Sequence, residues 1–486
     1  MNLEQLTSPV AFLMARLGEL PREKSLRSYQ DWWVTEGMAI SESVDRNGTP
    51  WLRLFDRQGG RVDEVLFAPD YRRMLGRGYR EGVIWRGFGE GGSLWHAYLL
   101  GYVTAFFDAG LYCPYTVSLA TAMPLAKYGD EALQRRFLAP LLRKDGQNWQ
   151  GATWMTEIGG GSDLGANVAT VARPAGDRWR LTGDKYFASN VGAEVAVVAA
   201  RPQSAPKGVR GLALFVLGRH TEDGRLNYRI RRLKDKIATR SVPTGEVELR
   251  DSEAWLLGPA ETGVYLILEV LNVSRVANCI ASVALAQRAM AEALEFARER
   301  VAFDRPILEH PLLARQFRER ADALVAAFAM AWEVVTLLDD VWRQTPPYAE
   351  RYHLFRLLAH LGKYWTAELA VDTAKWAMEV HGGLGVLAEY PVERWLREAM
   401  ILAIWEGTSH RQMLDGLEAM LHKGAHRLLL AHLAPHADPV RAAALERSLE
   451  ALLGLPPAER EAAVEPLFRE LAQFTGEALA QRGFEV

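Results

Sequence analysis

Three textures follow one another along the chain. In roughly the first 150 residues, loops alternate with stretches whose apolar positions fall at helical spacing. Leu119, Met123 and Leu125, then Leu133, Phe137, Leu138 and Leu141, predict helices there. Between about Gly151 and Gly258 the hydrophobic period drops to two and turn residues recur. RWRLTGDKYFAS, EVAVVAARP, GLALFVLG, LNYRIRRLK and TGEVELRDSEAWLLG predict strands, parted by Gly, Asp, Asn or Pro. From Gly263 onward long helices dominate, and Met290, Leu294, Ala297 and Val301 read as one apolar stripe. Beyond about Leu421 two amphipathic helices are predicted. One aligns Leu445, Leu449, Leu452 and Leu453 before Pro456-Pro457, and the other aligns Val464, Leu467, Phe468 and Leu471. The pattern predicts a multidomain α+β protein: an N-terminal helical domain (1–150), a central β domain (151–258), a C-terminal helical bundle (259–420) and a helical extension (421–486).

Composition narrows the class. Of 486 residues, 49% are apolar and 24% charged, the balance of a soluble globular protein rather than a disordered chain, a collagen or a coiled coil. A net charge of −3 gives no overall pull toward nucleic acid or membrane. Two cysteines, Cys113 and Cys279, make neither a disulfide framework nor a metal cluster, so a reducing cytoplasm and no metal are expected. The longest apolar run, residues 98–107, is half of the ~20 residues a spanning helix needs, and the start has no basic segment ahead of its short apolar stretch. No membrane association is expected.

Four segments carry candidate chemistry. Met155-Thr156-Glu157-Ile158-Gly159-Gly160-Gly161-Ser162-Asp163 combines glycines, which let backbone amides approach a ligand, with short hydroxyl donors. That suits a flat polar ring or a phosphate; a plain interdomain loop is equally compatible. Glu379-Val380-His381-Gly382-Gly383-Leu384-Gly385 ends a helical stretch, and its three glycines exceed what a helix cap requires. Ile404-Trp405-Glu406-Gly407-Thr408-Ser409 places an acid between apolar neighbours just before a helix predicted to start at Thr408 or Ser409. Burial there would raise the carboxyl pKa and make a stronger base, whereas a helix-start acid stabilised by the dipole is the plainer alternative. Arg298-Glu299-Arg300-Val301-Ala302-Phe303 offers a guanidinium for pyrophosphate and an aromatic edge, or simply a basic helix end.

Together and in this order, the segments resemble the acyl-CoA dehydrogenase family of flavoproteins over about residues 90–420. Residues 155–163 match the family's M/V-[ST]-E-x-x-x-G-[ST]-D pattern. Residues 379–385 match Q/E-x-x-GG-x-G, continuing through Glu389, Arg394 and Glu398. Arg397-Glu398-Ala399-Met400-Ile401 resembles RDAKI, and IWEGTS resembles IYEGTS. The resemblance implies the family's fold, with a β-barrel-like central domain, and FAD as cofactor. It implies that Glu406 takes the α-proton of an acyl-CoA thioester while the β-hydride goes to the flavin, giving a 2-enoyl-CoA. Met155, Thr156, Gly161, Ser162, Phe187 and Ser189 are implied at the flavin or its phosphates, and Ser162 and Arg275 at the CoA. Arg300, Phe303, Glu379, Gly382 and Gly383 would reach a neighbouring subunit's FAD, with Thr408 near the adenosine end. Some members carry the base just before the matched Arg, but Ser274 stands there. An electron-transfer flavoprotein or similar acceptor and a homotetramer, a dimer of dimers, are implied partners.

Departures point within the family. Pro311 follows Glu309-His310 where Gln is common, His410 replaces another Gln, and Trp154 stands where a small residue is usual, which is expected to narrow the pocket. Pro311, CPYT at 113–116 and the C-terminal helices look like the AidB branch, an alkylation-response group that can bind DNA. Its extension, however, carries seven Lys and Arg against nine Asp and Glu, which fits a packing module better than a phosphate-binding patch. The run Arg229–Lys236 reads as a solvated strand edge. A DNA-associated flavoprotein with weak dehydrogenase activity and an acyl-CoA oxidase are therefore the alternatives to a dehydrogenase.

Overall fold

Residues 3–89 and 91–482 are described by a computed structural model, and they fold as two units. One is helical and gathers residues 3–32, 101–109 and 275–482; the other, β-rich, holds 33–89, 91–100 and 110–274. Glu485, counted among the extension's acids, lies outside the described residues.

In the β-rich unit, a two-stranded antiparallel hairpin, β1 (Trp51–Phe55) and β2 (Arg61–Leu66), precedes the main sheet. The hairpin lies in a region where the hydrophobic pattern predicted only loops and helices. The sheet contains β3 (Gly151–Trp154), β4 (Val171–Ala175), β5 (Arg178–Ser189), β6 (Val195–Pro202), β7 (Ala213–Gly218), β8 (Arg229–Leu233) and β9 (Thr244–Leu257). Pairings β6–β4, β4–β5, β5–β9, β9–β7 and β7–β6 close into a ring, so the sheet is barrel-like, with β3 on β6 and β8 on β9. Residues 195–200 of β6 are all buried, which is why they read as one continuous apolar run rather than an alternation. β8 pairs with β9 alone, and acids across the sheet answer its charges. Arg231 meets Asp184 at 2.9 Å, and Arg232 and Lys234 meet Glu246 at 2.7 and 2.8 Å.

In the helical unit, α1 (Gly263–Glu299, which begins in the β-rich unit), α2 (Pro311–Val341), α3 (Glu350–His381), α4 (Val392–Ile404) and α5 (Ser409–Lys423) are joined by α6 (Ala425–Leu433), α7 (Pro439–Leu453) and α8 (Pro457–Arg482). Met290, Leu294 and Ala297 are buried on α1 as expected, but Val301 is 59% exposed. The stripe stops because the helix ends at Glu299 and the chain turns into a two-residue hairpin, Val301–Ala302 against Arg305–Pro306. Central to this unit, α3 packs on α2, α4, α5, α6 and α8. The extension is anchored by close packing: Phe468 of α8 is fully buried, and a Cβ on Gly416 of α5 would stand 2.5 Å from its ring. Among the described residues, 260–299 and α2 are long and apolar enough to cross a membrane. Most of each is buried inside the fold, 83% and 78% of the most apolar windows, as in core helices.

Candidate active site

The helical unit presents Glu406 on a turn between α4 and α5. Its φ of +57° is left-handed, a conformation that costs a non-glycine residue about 1–2 kcal/mol. Neighbours pay that cost. The Glu406 carbonyl oxygen accepts from Gln412 Nε2 at 2.9 Å and from Arg275 Nε at 3.3 Å, and the Gly407 carbonyl accepts from the same Gln412 nitrogen at 3.0 Å. Glycine is required at 407: its φ is +98° and a Cβ there would stand 2.7 Å from Gln412 Nε2. Thr408 caps α5 by position, so the helix starts at Ser409.

The electrostatics match the geometry. Glu406 is half-buried, and burial pushes its pKa up to about 7 against the pull of Arg275 and Lys363. Lys363 Nζ donates to the Ala403 carbonyl at 3.0 Å, and burial draws that ammonium down to about 8. Arg275 is itself braced by Asp415 at 3.2 Å. Arg275, implied at the CoA, therefore sits in direct contact with the backbone of the candidate base.

In the β-rich unit, the glycine loop 155–163 is pinned from beneath. Glu157 Oε1 accepts from Lys185 Nζ (2.7 Å), Thr170 Oγ1 (2.5 Å) and Thr170 N (3.2 Å), while its Oε2 accepts from Ala169 N (2.8 Å). The acid of this motif is structural. Above it, Gly161 approaches Thr156 so closely that a Cβ would stand 2.6 Å from Oγ1. Tyr186 N donates to the Thr156 carbonyl at 3.0 Å, which brings the end of β5 alongside the loop. There Phe187 is 54% exposed, Ser189 is half-buried and Ser162 is exposed, whereas Met155 is buried. An exposed flat ring, two hydroxyls and bare glycine backbone fit a tricyclic flavin and its phosphates.

The remaining candidates lie on the surface of the helical unit. Arg300 is exposed, and Phe303 is 89% exposed at φ +52° on the tip of the 301–306 hairpin. Glu379 is exposed and pairs with Lys375 at 2.6 Å. Two of the three glycines that follow have structural reasons, each its own. Gly382 ends α3 at φ +59°, Gly385 lies where a Cβ would meet the Met378 carbonyl at 2.5 Å, and Gly383 faces open space. Only Gly383 lacks a structural requirement of its own.

One expectation fails. Trp154 narrows no pocket: it is buried in the β core, edge-on to Tyr228 at 4.9 Å, and its Nε1 donates to the Ser189 carbonyl at 3.1 Å. Four residues around Glu406 were also missed: Gln412, His360, Lys363 and Asp415. A signal existed for two of them, since His360 and Lys363 interrupt the apolar run of α3 three residues apart, and buried ionisable groups on one helix face are uncommon.

Comparison with known proteins identifies the family and the fold. Residues 261–421 match the model of the acyl-CoA dehydrogenase C-terminal domain, 152–252 that of the acyl-CoA dehydrogenase middle domain, and 3–145 that of the adaptive response protein AidB N-terminal domain. The putative acyl-CoA dehydrogenase AidB of Escherichia coli is 29% identical over 412 residues, 80% of this chain and 72% of that protein. Acyl-CoA dehydrogenase family member 11 of Caenorhabditis elegans is 29% identical over 398 residues, 79% of this chain but 64% of its own length. The solved structure described as Bd2924 apo-form superposes with a TM-score of 0.85 at 27% identity, covering 99% of this chain and 96% of that one. With the dehydrogenase middle and C-terminal domains following an AidB-type N-terminal domain, the chain belongs to the acyl-CoA dehydrogenase family of FAD-dependent oxidoreductases, in its AidB-like branch.

Proposed function

We propose that the chain is an acyl-CoA dehydrogenase that removes the α-proton and the β-hydride of an acyl-CoA thioester. The observation that carries this reading is the half-buried carboxyl of Glu406, pushed up to about 7 by burial on a left-handed turn braced by Arg275 and Gln412. An α C–H beside a thioester is too weak an acid for a solvated carboxylate, and a base poised near neutrality is better matched to it. The Glu406 N–H, which has no partner among the described residues, is assigned to the thioester oxygen, where negative charge develops as the proton leaves. Bound FAD supplies the hydride acceptor.

The residues of loop 155–163 with Phe187 and Ser189 would hold that cofactor, and Ser162 and Arg275 the CoA. Arg300, Phe303, Glu379, Gly382, Gly383 and Thr408 would serve a neighbouring copy's FAD in a homotetramer acting in the cytoplasm. An electron-transfer flavoprotein is the proposed acceptor. Anaerobic titration of the purified yellow protein with a panel of acyl-CoAs tests the assignment. Bleaching of the flavin absorbance by at least one of them, and its loss in Glu406→Gln with FAD retained, is expected; undiminished bleaching in that variant refutes the base.

A further inference from the structure

Of the ties on the left-handed Glu406–Gly407 turn, the Gln412 side-chain amide is the one that holds both carbonyls, and that amide works in one orientation only. Both contacts of Gln412 Nε2 are to carbonyl oxygens, those of Glu406 and Gly407, which can only accept. Turned through 180°, the amide would set its own oxygen against two others. What selects the orientation lies on its far side, where Gln412 Oε1 is 2.9 Å from His360 Nδ1 on α3. Gln412 is fully buried and His360 is 1% exposed. Since Oε1 accepts, His360 must donate from Nδ1. Burial, helped by Arg275, pushes the imidazole down to about 3, so it is neutral at working pH and has one proton to place.

We propose that His360 is a positioning residue for the base: its Nδ1–H locks the Gln412 amide, and the amide holds the Glu406–Gly407 turn in the conformation that presents the carboxyl. The inference rests on Glu406 being the base. His360 hydrogen-bonds Gln412 and not the carboxyl, so it acts on the turn through that amide. Three residues along the same helix, Lys363 ties down the Ala403 carbonyl on the other side of the turn. α3 therefore fixes both ends of the segment that carries the acid. The left-handed turn persists because it is over-determined, and removing one tie lets unproductive conformers compete.

The test uses full-length holoenzyme and four variants. His360→Leu should lower the rate of flavin reduction by an acyl-CoA about 10- to 100-fold, with acyl-CoA affinity and FAD binding within about twofold, the pattern for a misplaced reacting group. His360→Asn, whose amide nitrogen can take the place of Nδ1, should recover most of that loss. Nitrogen-15 NMR of histidine-labelled protein gives a readout independent of turnover. His360 should remain a neutral Nδ1–H tautomer from pH 5 to 9, and lose that preference in Gln412→Leu. An Nε2–H tautomer, or a cation at pH 6, overturns the proposal even if His360→Leu fails to fold. Wild-type reduction rates in His360→Leu, alongside a dead Glu406→Gln, overturn it while leaving the base assignment standing. Bleaching retained in Glu406→Gln overturns the base instead.

Discussion

Lys185 Nζ lies 2.7 Å from Glu157 Oε1, with 0% and 5% of the two side chains open to solvent. The pair joins strand β5 to the glycine loop, and Lys185 also donates to the Ala199 carbonyl of β6 at 2.8 Å. Breaking a buried pair from one side leaves an uncompensated charge. Lys185→Met should therefore cost about 3–5 kcal/mol in denaturant unfolding. The double variant Lys185→Met/Glu157→Leu should recover part of that loss. If Lys185→Met matches the wild type within about 0.5 kcal/mol, the pair is not what anchors the loop.

Glu406 should destabilise the fold it serves. Its folded pKa of about 7 lies above the ordinary 4.5, so the folded state favours the protonated form. Below pH 4.5 the acid is protonated in both states and costs nothing. As pH rises toward 7, the unfolded chain ionises more readily than the folded one and stability is lost; above 7 the loss levels off. Partial exposure of the residue trims the shift to about 2 kcal/mol of penalty. Glu406→Gln should consequently melt at a higher temperature than wild type at pH 8, with the difference vanishing by pH 4. Equal melting curves at pH 8 would sink the idea that this carboxyl is held against its preference.

Lys363 helps place that titration. Burial raises the Glu406 pKa, and the charges of Arg275 and then Lys363 lower it. Lys363→Met removes one of the two cations, so the acid limb of the reduction rate should move alkaline by about one pH unit. In the wild type, rates should climb through about pH 7 as the base ionises. An unshifted limb in the variant would mean that Arg275 alone controls the carboxylate.

The sequence and the structure agree most where side chains interlock locally, and diverge where the reason is long-range. Strands β5, β6, β7 and β9 were legible because alternation or continuous burial leaves its mark over five or more residues. The β1–β2 hairpin was not: β1 is exposed or half-buried along its whole length, so no face carries a clean apolar pattern. Glu406 stood out through its neighbours in the chain. His360, 46 positions earlier, acts through a glutamine, and only the packing of α3 against α5 joins them. The Trp154 expectation failed for the opposite reason: the indole's direction is set by strand register, which the residue's identity does not disclose.

Besides the packing around Phe468, a buried acid ties down the extension. Glu333 on α2, 2% exposed, meets His432 of α6 at 2.7 Å and Arg482 of α8 at 2.8 Å. Burial alone would raise its pKa, but the His432 hydrogen bond and the Arg482 charge outweigh it and hold the carboxyl below its ordinary value. A depressed folded pKa gives stability that is present above the ordinary carboxylate range and lost as pH falls through the folded value. Glu333→Gln should release α6 and α8 while leaving the apolar packing around Phe468 in place. The extension should then be cleaved by protease at pH 7 at least about tenfold faster than in wild type, about 1.4 kcal/mol of local opening. Wild type should approach the variant only at pH values below the ordinary carboxylate range, where the acid protonates. Cleavage at the wild-type rate at pH 7 would assign the fastening to the apolar contacts alone.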